Sequence, residues 1–217
     1  MTVKGVTYEG VVPNATVIQM NIAGEGSIYT GIQNLADRGV DIINMSAGYD
    51  YDDDDMDGYN NVDKEVDRLI YSTGVIFVNA VGNTAGASSG KVNSPGKALN
   101  AITVGNANTK DTETSAETIP YRIWATSSFV EPDYLPNKPD IVAPGTNIVV
   151  PMKSNKDPYG VGPGTSLAAP LVTGVLAQMC QRAPSLKYSR ERAKAMLLLG
   201  AEQGKISKTD TDNVSVD

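Results

Sequence analysis

Gly164-Thr165-Ser166-Leu167-Ala168-Ala169-Pro170 is a stretch in which a loop passes into a helix. Gly164 lets the backbone approach a ligand with no side chain in the way, Thr165 and Ser166 are residue types that open helices, and Ala168 and Ala169 keep the first turn thin. A serine at this place lies in the positive end of the helix dipole, where a developing oxyanion is stabilised. An isolated Thr-Ser pair reads first as an N-cap, so the flanking residues decide its meaning. The G-x-S-x-G nucleophile elbow does not fit, because Ala168 stands where the second glycine would be and no strand runs directly into the turn.

Downstream of Ser166 the sequence stays strongly apolar, which predicts a central helix over residues 166–181, followed by a second helix over 189–199. Upstream, short apolar runs at 15–22, 40–45, 75–80 and 101–104 alternate with helical periods at 27–38 and 62–72. Gly39 and Gly74 stand where left-handed helix C-caps place glycine. Strands alternating with helices predict an α/β domain with a mostly parallel sheet flanked by helices, and residues 50–61, 83–97 and 106–138 read as loops.

A chain of 217 residues with 41% hydrophobic composition can bury a core of its own. Its 18 Lys plus Arg against 25 Asp plus Glu leave a net charge of -7, which argues against a nucleic-acid partner. The single cysteine, Cys180, cannot form an internal disulfide and reads as a small buried hydrophobe. With no histidine in the chain, an imidazole-based zinc site is excluded. No run is apolar for the roughly 18 residues a spanning helix needs, so a membrane partner is not expected, and the first residues lack a signal-peptide layout.

Four ordered motifs resemble the subtilisin-like serine proteases over most of residues 10–200. Gly164 to Pro170 resembles that family's nucleophile motif, with an apolar helix behind it. Val78-Asn79-Ala80-Val81-Gly82-Asn83 resembles the strand that ends in the family's oxyanion-hole asparagine. Asp41-Ile42-Ile43-Asn44-Met45-Ser46-Ala47-Gly48 resembles the strand whose end lines the substrate cleft. Lys138-Pro139-Asp140-Ile141-Val142-Ala143-Pro144-Gly145 resembles the segment before the nucleophile loop.

The resemblance implies a three-layer α/β fold lacking its N-terminal strands, residues 1–217 being part of one peptidase domain. It implies endopeptidase chemistry through an acyl-enzyme on Ser166, with Asn83 as an oxyanion donor and a polypeptide as substrate. An amide on a loop after a buried strand can donate where charge appears on the scissile carbonyl, with the Ser166 N–H as second donor. Asn83 between Gly82 and Thr84 also suits a turn residue at positive φ. A peptide would add as an extended strand beside Ser46, Ala47 and Gly48. Ala80, Val81, Gly82 and residues 88–95 resemble the walls of the primary pocket, Gly164 and Thr165 complete the cleft, and Tyr49 is placed to shape a subsite. Family membership also suggests an extracellular or cell-surface location.

A serine hydroxyl needs a base, and this family's triad runs Asp, His, Ser along the chain. Gly10-Val11-Val12-Pro13-Asn14-Ala15 resembles the sequence just after the histidine-bearing helix, so the resemblance places the Asp and His segments before Met1. Two readings follow: a fragment of an ordinary protease, or a pseudoprotease scaffold that binds peptides without cutting. Either has no practical turnover alone. Loss of the first strands of a parallel sheet exposes an edge, which predicts pairing with the missing segment or a dimer partner.

Asp50, Asp52, Asp53, Asp54, Asp55 and Asp57 crowd together and repel one another. Asp53, Asp55 and Asp57 followed by Gly58 match the opening of an EF-hand loop, but Lys64 holds the place of its closing glutamate. The stretch reads as a solvated loop first and a calcium site second; no cofactor is required.

Overall fold

The computed structural model describes residues 2–3, 6–49, 58–84, 92–108, 121–129, 136–153, 159–202 and 206–207. A small antiparallel pair, β1 (Thr2–Val3) and β2 (Val6–Thr7), precedes helix α1 (Glu25–Asp37), strand β3 (Ile42–Met45), helix α2 (Asn61–Thr73) and strand β4 (Ile76–Ala80). Then come β5 (Ile102–Asn108), β6 (Tyr121–Ile123), β7 (Ile141–Pro144) and the hairpin β8 (Ile148–Pro151) and β9 (Tyr159–Gly162). Helix α3 (Thr165–Arg182), a 3₁₀ turn (Pro184–Tyr188), helix α4 (Arg190–Gly200) and β10 (Ile206–Ser207) complete it.

Strands β3, β4, β5 and β7 pair in parallel, in registers such as Ile43↔Phe77, Val78↔Ile102 and Val104↔Ile141. β6 joins the end of β5 antiparallel, and β10 pairs with β6. Strand alternation splits the apolar residues between two cores. Ile76, Val78, Ala80, Ile102 and Val104 face Ala168, Ala169, Val172 and Leu176 of α3 and Ala193 and Leu197 of α4. Ile43, Met45 and Phe77 face Ile28, Ile32 and Leu35 of α1 and Val66, Leu69 and Ile70 of α2. The sheet therefore lies between two helical layers, as the strand and helix pattern predicts.

Gly39 and Gly74 adopt φ of 75° and 77°, the left-handed geometry that ends α1 and α2. The start of α2 carries a capping box, Asn60 Oδ1 accepting from the N–H groups of Val62 and Asp63 while Asp63 accepts from the Asn60 N–H. Pro170 lies within the first turns of α3 and does not break it. It does remove the N–H that would bond the Ser166 carbonyl four residues earlier, and the Ser46 hydroxyl takes that place at 3.1 Å. The end of β3 is thereby tied to the head of α3.

Residues 15–22 form no strand, contrary to expectation. Val17 is 84% exposed and Ile18 38%. A β-branched run becomes a strand only where a neighbour satisfies its backbone groups, and among the described residues none pairs with it. The segment instead runs from α3, where Gln178 Nε2 donates to the Val11 carbonyl, to α1, where Ile22 meets Gly31. β3, whose neighbour on the described sheet path is β4 alone, is the edge strand on that side. β6 within 106–138, together with β7 and the β8–β9 hairpin, was not legible from periodicity, because these strands are only 3 to 4 residues long.

Candidate active site

Ser166 is the second residue of α3, so its N–H belongs to the first turn and has no helical acceptor. The N-cap is Gly164, and neither Thr165 nor Ser166 caps the helix through its side chain. Gly164 is held in place by its N–H on the Gly145 carbonyl at 2.9 Å. A Cβ on Gly145 would lie 2.6 Å from both the Gly164 carbonyl oxygen and Asn106 Oδ1, so glycine is required for this close approach. Within the site the Ser166 hydroxyl lies 3.5 Å from the Ser46 carbonyl oxygen.

Asn83 is exposed on the loop that follows β4. Its Oδ1 accepts from the Thr165 N–H at 3.0 Å and lies 3.2 Å from Thr165 Oγ1. Occupying the carbonyl end of the amide leaves Nδ2 as the group available to a ligand. Positive φ belongs to Gly82, at 111°, and not to Asn83, so the turn-residue reading of Asn83 fails. Ser128 anchors the loop from behind, its N–H donating to the Gly82 carbonyl and its hydroxyl accepting from the Thr84 N–H.

Thr165 is fully buried, and its hydroxyl lies among Gly82 and Asn83, so it clamps the site and does not line a cleft. Val81 turns a fully buried side chain into the core, its N–H bonds Val104, and its carbonyl accepts from Asn93, so it offers a substrate no free side chain. Ala80 is likewise buried. Ser46 and Ala47 are exposed at the end of β3, beside the half-buried Gly48. Thr173 Oγ1 lies 3.0 Å from Asn44 Oδ1, and Asn44 Nδ2 donates to Ser46 Oγ at 3.1 Å, a relay that orients the Ser46 hydroxyl onto Ser166. Tyr49 packs against the α1 and α2 core and pairs through its main chain with Ser94, so it does not project into the cleft as its sequence position suggested.

The loop behind the cleft, residues 94–101, is pinned by buried charges. Asp63 accepts from the Ser94 hydroxyl and the Lys97 N–H, and Asp67 from the N–H groups of Leu99 and Asn100. Burial raises the Asp63 carboxyl above its ordinary range, against the lowering effect of Ser94. Lys138, only 3% exposed, donates to the carbonyls of Ala98 and Ala101 and pairs with Asp140 at 2.7 Å. Burial lowers its ammonium pKa, opposed by Asp140. The sequence placed Lys138 and Asp140 in a family-like segment but did not show this role, since all of these contacts except the Lys138–Asp140 pair join residues more than 30 positions apart.

Asp53, Asp55 and Asp57 lie outside the described residues, as do residues 88–91 of the expected pocket wall. Among the described residues no group of three or more His, Cys, Asp or Glu is placed to hold a metal, and no helix is long and apolar enough to cross a membrane. Cys180 is buried, as expected.

Sheet, layers and site together define an α/β domain organised around a serine at the head of a helix that buries one face on the sheet, with an asparagine amide locked beside it. The Subtilase family, peptidase S8, matches residues 2–214, and the chain belongs to that family. Pyrolysin of Pyrococcus furiosus is 30% identical over 90% of this chain and 16% of its own length. Serine protease AprX of Bacillus subtilis is 28% identical over 91% of this chain and 49% of its own. Among solved structures, a cold-adapted subtilisin-like serine proteinase superimposes with a TM-score of 0.64 at 23% identity, over 87% of this chain and 59% of that one. Sphericase gives 0.62 at 28% identity, over 82% and 56%. The chain thus spans about half or less of the length of the two relatives, and the fold is subtilisin-like.

Proposed function

We propose that this chain is the nucleophile-bearing part of a serine endopeptidase whose acid and base come from outside residues 1–217. The observation that carries the reading is the clamp of Thr165 on Asn83, which fixes the amide by its oxygen and leaves Nδ2 beside the head of α3. Attack by Ser166 Oγ on a peptide carbonyl forms the carbon–oxygen bond as a base takes the hydroxyl proton. The carbonyl oxygen becomes an oxyanion, which Asn83 Nδ2 and the Ser166 N–H receive. Collapse breaks the peptide bond, the base returns its proton to the leaving amine, and water then releases the acyl group from Ser166.

No histidine is present to act as base, and among the described residues the hydroxyl's partner is a carbonyl oxygen. The edge of β3, which has no partner on its outer side among the described residues, and the exposed residues 15–19 offer a place for a complementing segment to pair, with the substrate lying as an extended strand along Ser46 to Gly48. Family membership supports an extracellular location. In a subtilisin, loss of the nucleophile or histidine alone costs about 2 × 10⁶ in kcat. Hydrolysis of a chromogenic tetrapeptide by residues 1–217 alone is therefore expected to match that of Ser166→Ala. Efficient cleavage that disappears in Ser166→Ala would overturn the assignment of the base to another segment.

A further inference from the structure

We infer that Thr173 and Asn44 are positioning residues of the peptidase reaction, fixing through Ser46 the carbonyl of Ser166 and with it the nucleophile and its oxyanion-binding N–H. The inference rests on the peptidase reading and concerns how that site holds Ser166 in place.

Strand β3 and helix α3 meet along a polar seam. Asn44 and Ser46 are two residues apart and share the side turned to α3, since Ile43 and Met45 are buried on the other side. Ser166 and Thr173, two turns apart on α3, lie on the stripe that faces them. Ser166 needs support from outside its own helix. Its N–H belongs to the first turn, and Pro170 has no N–H to give its carbonyl, so the Ser46 hydroxyl at 3.1 Å takes the place of the helical bond.

The direction of each bond decides whether that support exists. Thr173 Oγ1 donates to Asn44 Oδ1 at 3.0 Å, Asn44 Nδ2 donates to Ser46 Oγ at 3.1 Å, and the Ser46 proton is left to donate to Ser166. Turned over, the amide would present Oδ1 to Ser46 and accept the proton that holds the Ser166 carbonyl. A hydroxyl at position 173 that donates to Oδ1 therefore selects the working orientation. The Ala169 carbonyl, also 3.0 Å from Thr173 Oγ1, competes for the same proton, so the hold is partial and its effect modest. Valine would fill the same space and give the amide no reason to face either way. On the peptidase reading the complementing segment covers the edge of β3 and takes this relay out of water, where such bonds are worth more.

The test follows the Ser166 carbonyl carbon of the 217-residue chain by NMR, then combines the chain with the base-bearing segment of a related subtilase and measures kcat and KM for a chromogenic tetrapeptide. In the chain alone, the Ser166 resonance is expected to move upfield in Thr173→Val and in Ser46→Ala and to stay in place in Thr173→Ser. In the complex, Thr173→Val is expected to lower kcat about threefold and Ser46→Ala about tenfold, the range spanned by one neutral hydrogen bond, with KM nearly unchanged. Thr173→Ser, which keeps the hydroxyl, is expected to restore most of kcat. Thr173→Val added to Ser46→Ala is expected to cost nothing further, because both act through one bond, whereas a residue that merely packs would add its own loss. Thr173→Ala, which suits a helix interior, gives the same readings should the valine variant not fold. An unmoved resonance, an unchanged kcat, a loss confined to KM or an additive double variant overturns the inference and leaves the peptidase reading standing. Where no complex assembles, the resonance alone decides the relay. A complex of the unaltered chain that forms without Ser166-dependent turnover overturns both.

Discussion

Replacing Lys138 by methionine removes the ammonium that holds the loop behind the cleft while keeping most of its volume. Lys138 and Asp140 have side chains 3% and 9% exposed, with their charges 2.7 Å apart. Breaking such a buried pair by deleting one partner costs about 3–5 kcal/mol when the survivor is stranded. Asp140 is not wholly stranded here. Lys194 still meets its other oxygen at 2.8 Å, and the Thr103 N–H still bonds Oδ2. The Ala101 carbonyl likewise keeps Lys194, whereas the Ala98 carbonyl loses its Lys138 donor. The expected loss is thus about 2–3 kcal/mol, or about 4–12 °C in Tm at this chain length. Circular dichroism melts check it, and adding Asp140→Asn is expected to recover part of the loss. The pH dependence has a definite sign. Burial depresses the folded pKa of Lys138 below its ordinary 10.5. The unfolded chain therefore binds more protons in the window below 10.5, and this group's contribution raises stability as pH climbs through it. Lys138→Met should lose that rise. A Tm within about 2 °C of the unaltered chain, with the same pH profile, would refute the role given to the buried ammonium.

Other consequences are nearer the chemistry. Once a base-bearing segment is supplied, Asn83→Ala is expected to lower kcat about 10²–10³-fold with KM nearly unchanged, since in the proposed reaction the amide would act on the oxyanion and not on the bound peptide. Thr165→Val, which removes one of the two contacts that fix Asn83, is expected to cost about tenfold in kcat, read from the same progress curves. Gly145→Ala should destabilise by about 1–3 kcal/mol in urea unfolding, because its Cβ would meet the Gly164 carbonyl and Asn106 at 2.6 Å.

Elements that bury a continuous apolar face were legible in the sequence: β4 and α3 follow from the runs at 75–80 and 166–181, and the helix ends follow from Gly39 and Gly74. The run at 15–22 carried the same residue signal but not the neighbour a parallel strand needs. At the site, Ser166 and Asn83 stood out as residue types in motifs. Ser128, Asn44 and Thr173 did not, and Thr165 stood out as a helix-opening, cleft-lining residue and not as a clamp, because a threonine that holds an amide 82 positions away looks in sequence like any helix-opening threonine.

On the proposed reading, Ser166 is a competent nucleophile lacking only its acid and base. The most direct measurement adds the Asp- and His-bearing N-terminal segment of a related subtilase to residues 1–217, confirms the complex by sedimentation, and follows tetrapeptide hydrolysis. Turnover that appears with the complex and vanishes in Ser166→Ala is the predicted result. A complex that forms and shows no Ser166-dependent hydrolysis would contradict it.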